Sequence, residues 1–173
     1  KDVVVNRVFP DVTGDQICYQ EKCEFVPANR LLLKGGTEKT YCNGHYNAND
    51  FVDNYWNAEG LTDECEMPVG SNMQFIFKQH NQTIYSYTGT IKVLIQSINY
   101  DNDFKALQIF TGEDSNNDQL PDSWTYCGNI DGIQGISTKI IHCEGTNLKF
   151  IKLVNAEWNK GNLYIDYLEV LKV

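Results

Sequence analysis

The feature that most restricts the fold of this chain is a repeated alternation of apolar and polar residues in short runs. MQFIFK at residues 73–78, TIKVLIQSI at residues 90–98 and ALQIFT at residues 106–111 alternate with a period of two, the period of a β-strand with one buried face. Further runs of strand character occupy residues 3–5, 30–34, 139–143, 148–154 and 163–173. Loops rich in Asn, Asp and Gly separate them. The pattern predicts about eight strands and no amphipathic helix, and hence an antiparallel β-sandwich or jelly roll.

Size and charge exclude several classes of protein. The 173 residues, 42% of them hydrophobic, suit one globular core rather than a disordered chain. The net charge of −9 argues against binding to nucleic acid or to an anionic membrane surface, because phosphate groups would be repelled. The longest apolar runs fall well short of the roughly 20 residues that a membrane helix needs. We therefore expect neither a nucleic-acid partner nor insertion into a membrane.

Six cysteines indicate where the protein works. They fall into three neighbouring pairs, namely Cys18 and Cys23, Cys42 and Cys65, Cys127 and Cys143. An even number in a loop-rich chain is typical of disulfides in a secreted or cell-surface protein. Free thiols are the alternative, whereas zinc is disfavoured because no CxxC occurs and the three histidines follow no ligand spacing. Of the fifteen possible connectivities we favour pairing between neighbours, which closes three short loops. The sequon at Asn81 adds a candidate glycosylation site.

Several elements of the chain follow one another in the order found in a known superfamily. They are residues 99–112 (NYDNDFKALQIFTG), 124–128 (WTYCG), 141–145 (IHCEG), 148–153 and 167–170 (YLEV). This order resembles the discoidin-like, or coagulation factor 5/8 type C, superfamily, whose galactose-binding-like fold the F-type lectins share. NDFVD at residues 49–53 resembles that family's a-x-x-h-D-G element, with Asn54 where Gly is usual. The resemblance implies a discoidin-like β-sandwich over residues 41–173 and leaves residues 1–40 as an N-terminal arm or extra strands.

The resemblance also implies a structural calcium ion. In the F-type lectins such an ion lies near the h-D-G loop and a Glu of the last strand closes its shell, which points here to Asn49, Asp53 and Glu169. Calcium takes six to eight hard oxygen ligands. The alternation of residues 163–173 places Glu169 on the face of Leu163 and Ile165, where a carboxylate needs a partner. The alternative is a solvated Glu169, or one paired with a lysine.

A second acidic segment lies at residues 114–122 (DSNNDQLPD). Its spacing resembles the start of the twelve-residue calcium loop of EF-hands and dockerins. Two departures favour a solvated turn instead: Gln119 stands where that loop needs Gly, and Thr125 stands where a bidentate Glu would close the site.

Carbohydrate recognition is what the resemblance implies for the protein's binding activity. A fucose-binding F-type lectin grips its sugar with a His and two Arg, and the corresponding stretch here carries Tyr100 where the first Arg belongs. That change removes the paired N–H donors of a guanidinium, which would bond adjacent sugar hydroxyls. A glycan other than fucose is therefore expected. The candidate ligand-binding residues are Tyr100, Asp101, Asp103, Lys105, Trp124 and Trp158. The alternative for Trp124 and Trp158 is that they fill the core or shield a loop.

Two functions remain open at this point. The first is an extracellular, lectin-like module that binds glycans or glycoproteins and is stabilised by calcium. The second is a structural subunit of an extracellular coat, matrix or filament, which would use the same fold to contact coat proteins or other copies of itself. We do not expect an enzyme, because the sequence contains no G-x-S-x-G, no H-E-x-x-H and no glycine-rich phosphate loop.

Overall fold

A computed structural model describes residues 12–19, 22–27, 29–35, 65–78, 84–99 and 101–173. Regular structure in these ranges consists of β-strands, as the alternation predicts. None of the described residues belongs to a helix long and apolar enough to cross a membrane. The strands are β1 (Val12–Tyr19), β2 (Lys22–Pro27), β3 (Arg30–Gly35), β4 (Cys65–Met67), β5 (Asn72–Lys78), β6 (Tyr87–Ile98), β7 (Lys105–Glu113), β8 (Ser123–Ile133), β9 (Ile136–Leu148), β10 (Phe150–Asn155) and β11 (Leu163–Lys172).

The main sheet curls so that its two halves face each other. Its strand order is β8-β7-β10-β5-β3-β11-β6-β9, with β4 beside β11, and the pairings are antiparallel. β3 pairs with β11 through Arg30 and Leu31, and with β5 from Leu32 onward. β3 therefore connects a layer formed by β8, β7, β10 and β5 to a layer formed by β11, β6 and β9.

The core fills the space between the layers. Along the strands of the main sheet successive side chains point to opposite faces, so alternate residues face the core. The fully buried core residues come from both layers: Met67, Met73, Phe75, Phe77, Ile91, Val93, Ile95, Leu107, Ile109, Ile133, Ile151, Leu153, Leu163, Ile165 and Val170. The alternate residues of the same strands therefore form the two outer faces of the sandwich.

A disulfide closes the curled sheet. Cys127 of β8 and Cys143 of β9 are bonded, with their Cα atoms 5.7 Å apart. β8 and β9 are the terminal strands of the sheet, so the bond joins its two ends. The prediction of an antiparallel, disulfide-containing β-sandwich is confirmed, and so is this cysteine pair.

The other two cysteine pairs stay predictions. Cys18 and Cys23 lie opposite each other in the ladder between β1 and β2, and directly opposed strand residues have a Cα separation that a disulfide can span. Cys65 begins β4, whereas Cys42 lies outside the described residues.

The segment of residues 1–40 contributes to the structure in two ways. β1 and β2 form a two-stranded sheet of their own, while β3 lies within the main sheet. The β3 segment therefore helps to build the sandwich. The division of the chain at residue 40 stays a prediction.

The alternation predicted along the last strand is wrong in its second half. Leu163 and Ile165 are buried, but so are Leu168 and Val170, which were expected on the opposite face. The cause is an irregularity in the pairing of β11 with β6, since Ile165 faces Ser97 whereas Tyr167 faces Gln96. One extra residue in a bulge exchanges the two faces of the strand. Glu169 therefore lies on the outer face and not among the core residues.

Candidate functional site

An aromatic cluster lies on the outer face of the β8-β7-β10 layer. Phe110 of β7 is paired with Tyr126 of β8 on one side and with Lys152 of β10 on the other. Two residues further along β7, Gly112 is paired with Trp124 and with Phe150. Because residues two apart on a strand share a face, all of these side chains project from one surface. We call Phe110, Trp124, Tyr126, Phe150 and Lys152 the aromatic surface.

The rings of the aromatic surface contact one another at tilted angles. The ring centroids of Phe110 and Tyr126 are 5.4 Å apart, with the planes at 58°, and those of Trp124 and Phe150 are 6.1 Å apart at 70°. Such arrangements are the favourable ones for aromatic pairs. Tyr126 remains 51% exposed, and its hydroxyl is held by the side-chain oxygen of Asn129. Phe150 is buried, and Phe110 and Trp124 are half-buried. The ring surface that the cluster offers to a ligand is therefore mainly that of Tyr126.

Lys152 lies over two of these rings. Its Nζ atom is 4.8 Å from the ring centroid of Phe110 and 4.6 Å from that of Trp124, both within the range of a cation–π interaction. Desolvation by burial lowers the pKa of Lys152 below its ordinary value. Among the residues that the structure describes, no carboxylate forms an ion pair with this ammonium group. The aromatic surface thus carries a positive charge whose neighbours are rings.

Gly112 sets the position of Trp124. A Cβ atom at residue 112 would lie 2.9 Å from Cζ3 of Trp124 and 3.1 Å from Cβ of Phe150, closer than carbon atoms approach. The indole therefore lies against bare backbone. Any side chain at residue 112 would push it away from the sheet.

A carboxylate loop, residues 114–122, joins β7 to β8 at the end of the sheet where Trp124 lies. Asp114 is buried, and its two carboxylate oxygens accept hydrogen bonds from the backbone N–H groups of Asp118 (3.1 Å) and Gln119 (2.8 Å). Gln119 has a φ of 65°, so it makes the left-handed turn for which glycine is usual. The departure at this position therefore does not prevent the sharp turn.

Three carboxylates of this loop converge. Asp114, Asp118 and Asp122 each place an oxygen within 4.8 Å of the other two. Hydrogen bonds from the hydroxyl and the backbone N–H of Ser115 lower the pKa of Asp122 and keep it ionised. An all-oxygen donor set on an irregular loop suits a hard divalent cation, so these three residues are able to hold a metal ion.

Lys149 supplies a positive charge to the same loop. Its Nζ donates hydrogen bonds to the carbonyl of Asp114 (3.0 Å) and to Oδ1 of Asn117 (2.6 Å), and it lies 3.9 Å from Oδ2 of Asp114. An open polar cleft of about 400 Å³ lies beside this lysine and is lined by Ser86, Glu113, Asp114, Ser115, Asn117, Asn147 and Lys149. Amide, hydroxyl and charged groups of this kind are suited to ligands with many hydroxyls.

The predicted ligand-binding residues Asp101, Asp103 and Lys105 lie at the opposite end of β7. Lys105 is fully buried and its Nζ donates to Oδ1 of Asp101 at 2.6 Å. This bond from Lys105 is the main cause of the lowered pKa of Asp101. Oδ1 of Asp101 also accepts from the backbone N–H of Asp103 at 3.1 Å. Lys105 and Asp101, four residues apart, thus form an ion pair within the chain.

The structure separates the two candidate tryptophans. Trp158 lies in the connection after β10 and is 61% exposed, and the neighbouring Asn159 bonds both backbone groups of Ala106 at the start of β7. Trp124 lies beside Gly112 near the other end of that strand. Lys105 and Gly112 are seven residues apart, which is about 23 Å along a strand. The predicted ligand-binding residues are therefore distributed over both ends of the sandwich.

The residues predicted to bind calcium are described only in part. Glu169 accepts hydrogen bonds from Nε of Arg30 at 2.9 Å and from Nη2 of the same guanidinium. A cation of the chain itself therefore neutralises this half-buried carboxylate. Asn49 and Asp53 lie outside the described residues, as do Tyr100 and the glycosylation candidate Asn81. The metal set of Asn49, Asp53 and Glu169 stays a prediction.

Sequence reasoning missed Phe110, Tyr126 and Lys152. The signal was present in the same alternation that identified the strands, because Phe110 and Lys152 occupy the polar phase of β7 and β10. An aromatic ring at an outward position is informative, because large apolar side chains are more often buried than placed on an outer face. Tyr126 follows Trp124 by two residues and therefore shares its face.

Comparisons with known proteins show a likeness to solved structures. No protein-family model matches the chain, and no curated protein matches it. Among solved structures it is similar to the CBM36-1 domain of a multidomain xylanase from the hindgut metagenome of Trinervitermes trinervoides, with a TM-score of 0.49 and 15% sequence identity over 82% of this chain and 96% of that chain. Membership of the discoidin-like superfamily stays a prediction.

Proposed function

We propose that this protein is an extracellular, non-catalytic module that binds glycans on the aromatic surface. The observation that carries the proposal is the alignment of Phe110, Trp124 and Tyr126 on neighbouring strands of one outer face. The apolar face of a sugar ring packs against aromatic rings, while nearby polar groups bond its hydroxyls. The polar cleft beside Lys149 lies at the Trp124 end of this surface and offers such groups. The Cys127–Cys143 disulfide supports an oxidising, extracellular location.

The test compares two tryptophans of the same chain on a glycan array. Trp124→Ala removes a ring of the aromatic surface, whereas Trp158→Ala removes an exposed ring from the far end of the sandwich. We expect Trp124→Ala to lower binding at least tenfold and Trp158→Ala to leave it within twofold. If the two variants exchange these roles, the binding site lies at the end that carries Asp101 and Lys105.

We also propose that the carboxylate loop holds a calcium ion that fixes the Trp124 end of the surface. The three converging carboxylates and the left-handed turn at Gln119 support this assignment. In thermal unfolding, calcium should raise the midpoint of the native protein and of Asp131→Asn, which removes an exposed carboxylate outside the loop. Asp118→Asn should abolish that rise. A calcium effect that survives in Asp118→Asn but is lost in Asp53→Ala would transfer the ion to the set of Asn49, Asp53 and Glu169.

A structural subunit of an extracellular assembly is the second candidate function. It is favoured by two large apolar side chains on the terminal strand β9, Ile136 and Ile140, which are 76% and 49% exposed. Exposed apolar residues on a terminal strand favour contacts with another chain. Light scattering at increasing protein concentration tests this function. Large particles that Ile140→Lys dissolves, together with no glycan binding, would replace the first function by the second.

A further inference from the structure

We infer that the aromatic surface selects acidic sugars, in which an anionic group on the ring bonds the ammonium group of Lys152. The inference rests on the proposed glycan-binding function and adds the chemical class of the ligand. Its basis is a contrast among lysines that contact other groups of the chain. Lys105 is paired with Asp101 and Lys149 with Asp114. Lys152 instead lies 4.8 and 4.6 Å from the ring centroids of Phe110 and Trp124, closer than Lys172 lies to the single ring of Tyr85 at 5.6 Å.

The environment of Lys152 favours an anionic partner. Partial burial removes water from the ammonium group, which lowers its pKa. The cation–π contacts with the two rings replace only part of that lost hydration. The ammonium group has three N–H donors, and among the described residues none of them is engaged by a carboxylate. An anion brought by a ligand would therefore bond a cation that is already partly dehydrated and held in place.

The geometry suits a sugar ring that carries its own charge. Nζ of Lys152 lies over the rings of Phe110 and Trp124, and the exposed ring of Tyr126 adjoins that of Phe110. A sugar packed on Tyr126 would therefore bring a substituent of its ring to the lysine. A carboxylate on a uronic or sialic acid has the charge and the acceptor oxygens for a charge-assisted hydrogen bond. A sulfate ester shares this chemistry. The chain's net charge of −9 disfavours dense polyanions, which favours glycans with isolated carboxylates.

The experiment uses matched ligands that differ only in charge. A glycan array carries neutral oligosaccharides, sulfated oligosaccharides, oligosaccharides with uronic or sialic acids, and the methyl esters of those same acids. We expect the full chain to bind at least one carboxylated glycan tenfold more strongly than its methyl ester, and to lose this preference at high salt. Stronger binding to sulfated glycans than to carboxylated ones would assign the anion to sulfate and overturn the carboxylate assignment.

Two lysine variants locate the preference on the protein. Lys152→Gln should bind the acid and the ester equally, while Lys160→Gln, at an exposed turn after β10, should keep the tenfold difference. Urea unfolding curves that coincide with those of the native chain show that Lys152→Gln is folded. A preference that persists in Lys152→Gln would overturn the inference, because another cation would then carry it.

The failure of this inference and the failure of the proposed function give different results. If the native chain binds a neutral glycan or a methyl ester as strongly as the acid, and Trp124→Ala abolishes that binding, the function stands and the selection of acidic sugars is wrong. If no glycan on the array is bound, both are wrong.

Discussion

Arg30 and Lys152 are two cations on outer faces of the same sandwich, and they differ in the groups that they contact. The guanidinium of Arg30 bonds the carboxylate of Glu169 on the neighbouring strand β11. Lys152 lies on the other layer, over Phe110 and Trp124. The first region is closed within the protein and contributes to stability. The second retains hydrogen-bonding capacity, which the proposed function assigns to a ligand.

Neutralising Glu169 should have the largest effect on stability. Glu169→Gln removes a charged acceptor of two hydrogen bonds from the mostly buried guanidinium of Arg30, and we expect a loss of about 2–3 kcal/mol in the free energy of unfolding, because hydrogen bonds between charged groups are costly to lose. Urea denaturation measures this loss. Glu144→Gln, an exposed position on β9, is the control and should change it by less than about 0.5 kcal/mol. An effect that appears only when calcium is present would instead assign Glu169 to a metal site.

Adding a side chain at Gly112 should cause the next largest loss of stability. Gly112→Ala places a methyl group against Trp124 and Phe150, and overpacking of this kind costs about 1–3 kcal/mol. Glycan binding should fall together with stability, because the indole moves. Ser123→Ala, next to Trp124 and exposed, should change neither. Retention of full affinity in Gly112→Ala would show that the position of Trp124 does not matter for binding.

Replacing Lys152 should leave stability almost unchanged. In Lys152→Met the side chain keeps its apolar stem and its contact with the rings, and the cost of desolvating a charge disappears. We expect the free energy of unfolding to stay within about 0.5 kcal/mol of the native value or to rise slightly. A loss of more than about 1 kcal/mol would mean that Lys152 is satisfied within the chain, as Arg30 is.

The deprotonation of Lys152 should have the smallest effect on the free energy of unfolding. Burial holds its pKa below the ordinary 10.5 of lysine, so between the two values the folded state binds fewer protons than the unfolded state. Stability should therefore rise with pH through that window. An NMR titration of the lysine side chains measures the pKa directly. A bound acidic glycan should raise it again, and a neutral glycan should not.

The sequence predicted the sandwich because its alternation is local. The runs that became β5, β6 and β7 show which residues face the core. The bulge after Ile165 was not predictable from the alternation, since it depends on how β11 pairs with β6. Its consequence is that Glu169 meets Arg30, a residue 139 positions away.

The candidate site was predictable only one residue at a time. Trp124 was identified as a ligand-binding candidate, but the residues that form the candidate site with it lie mainly on two other strands. Phe110 and Lys152 reach it through pairings across β7 and β10, which no local pattern specifies. The resemblance to a known superfamily placed the six predicted ligand-binding residues in one site. In the structure Lys105 begins strand β7 and Trp124 lies beside the other end of that strand, so the two are about one strand length apart.

The location of the bound glycan tests the central claim most directly. Chemical-shift mapping by NMR, with an acidic oligosaccharide titrated into the isotope-labelled chain, should show the largest changes at the ring of Phe110, the indole of Trp124, the ring of Tyr126 and the ammonium-bearing carbon of Lys152. Asp101 and Trp158, at the far end of the sandwich, should be unaffected. Changes concentrated at Asp101, Lys105 and Trp158 instead would contradict the account.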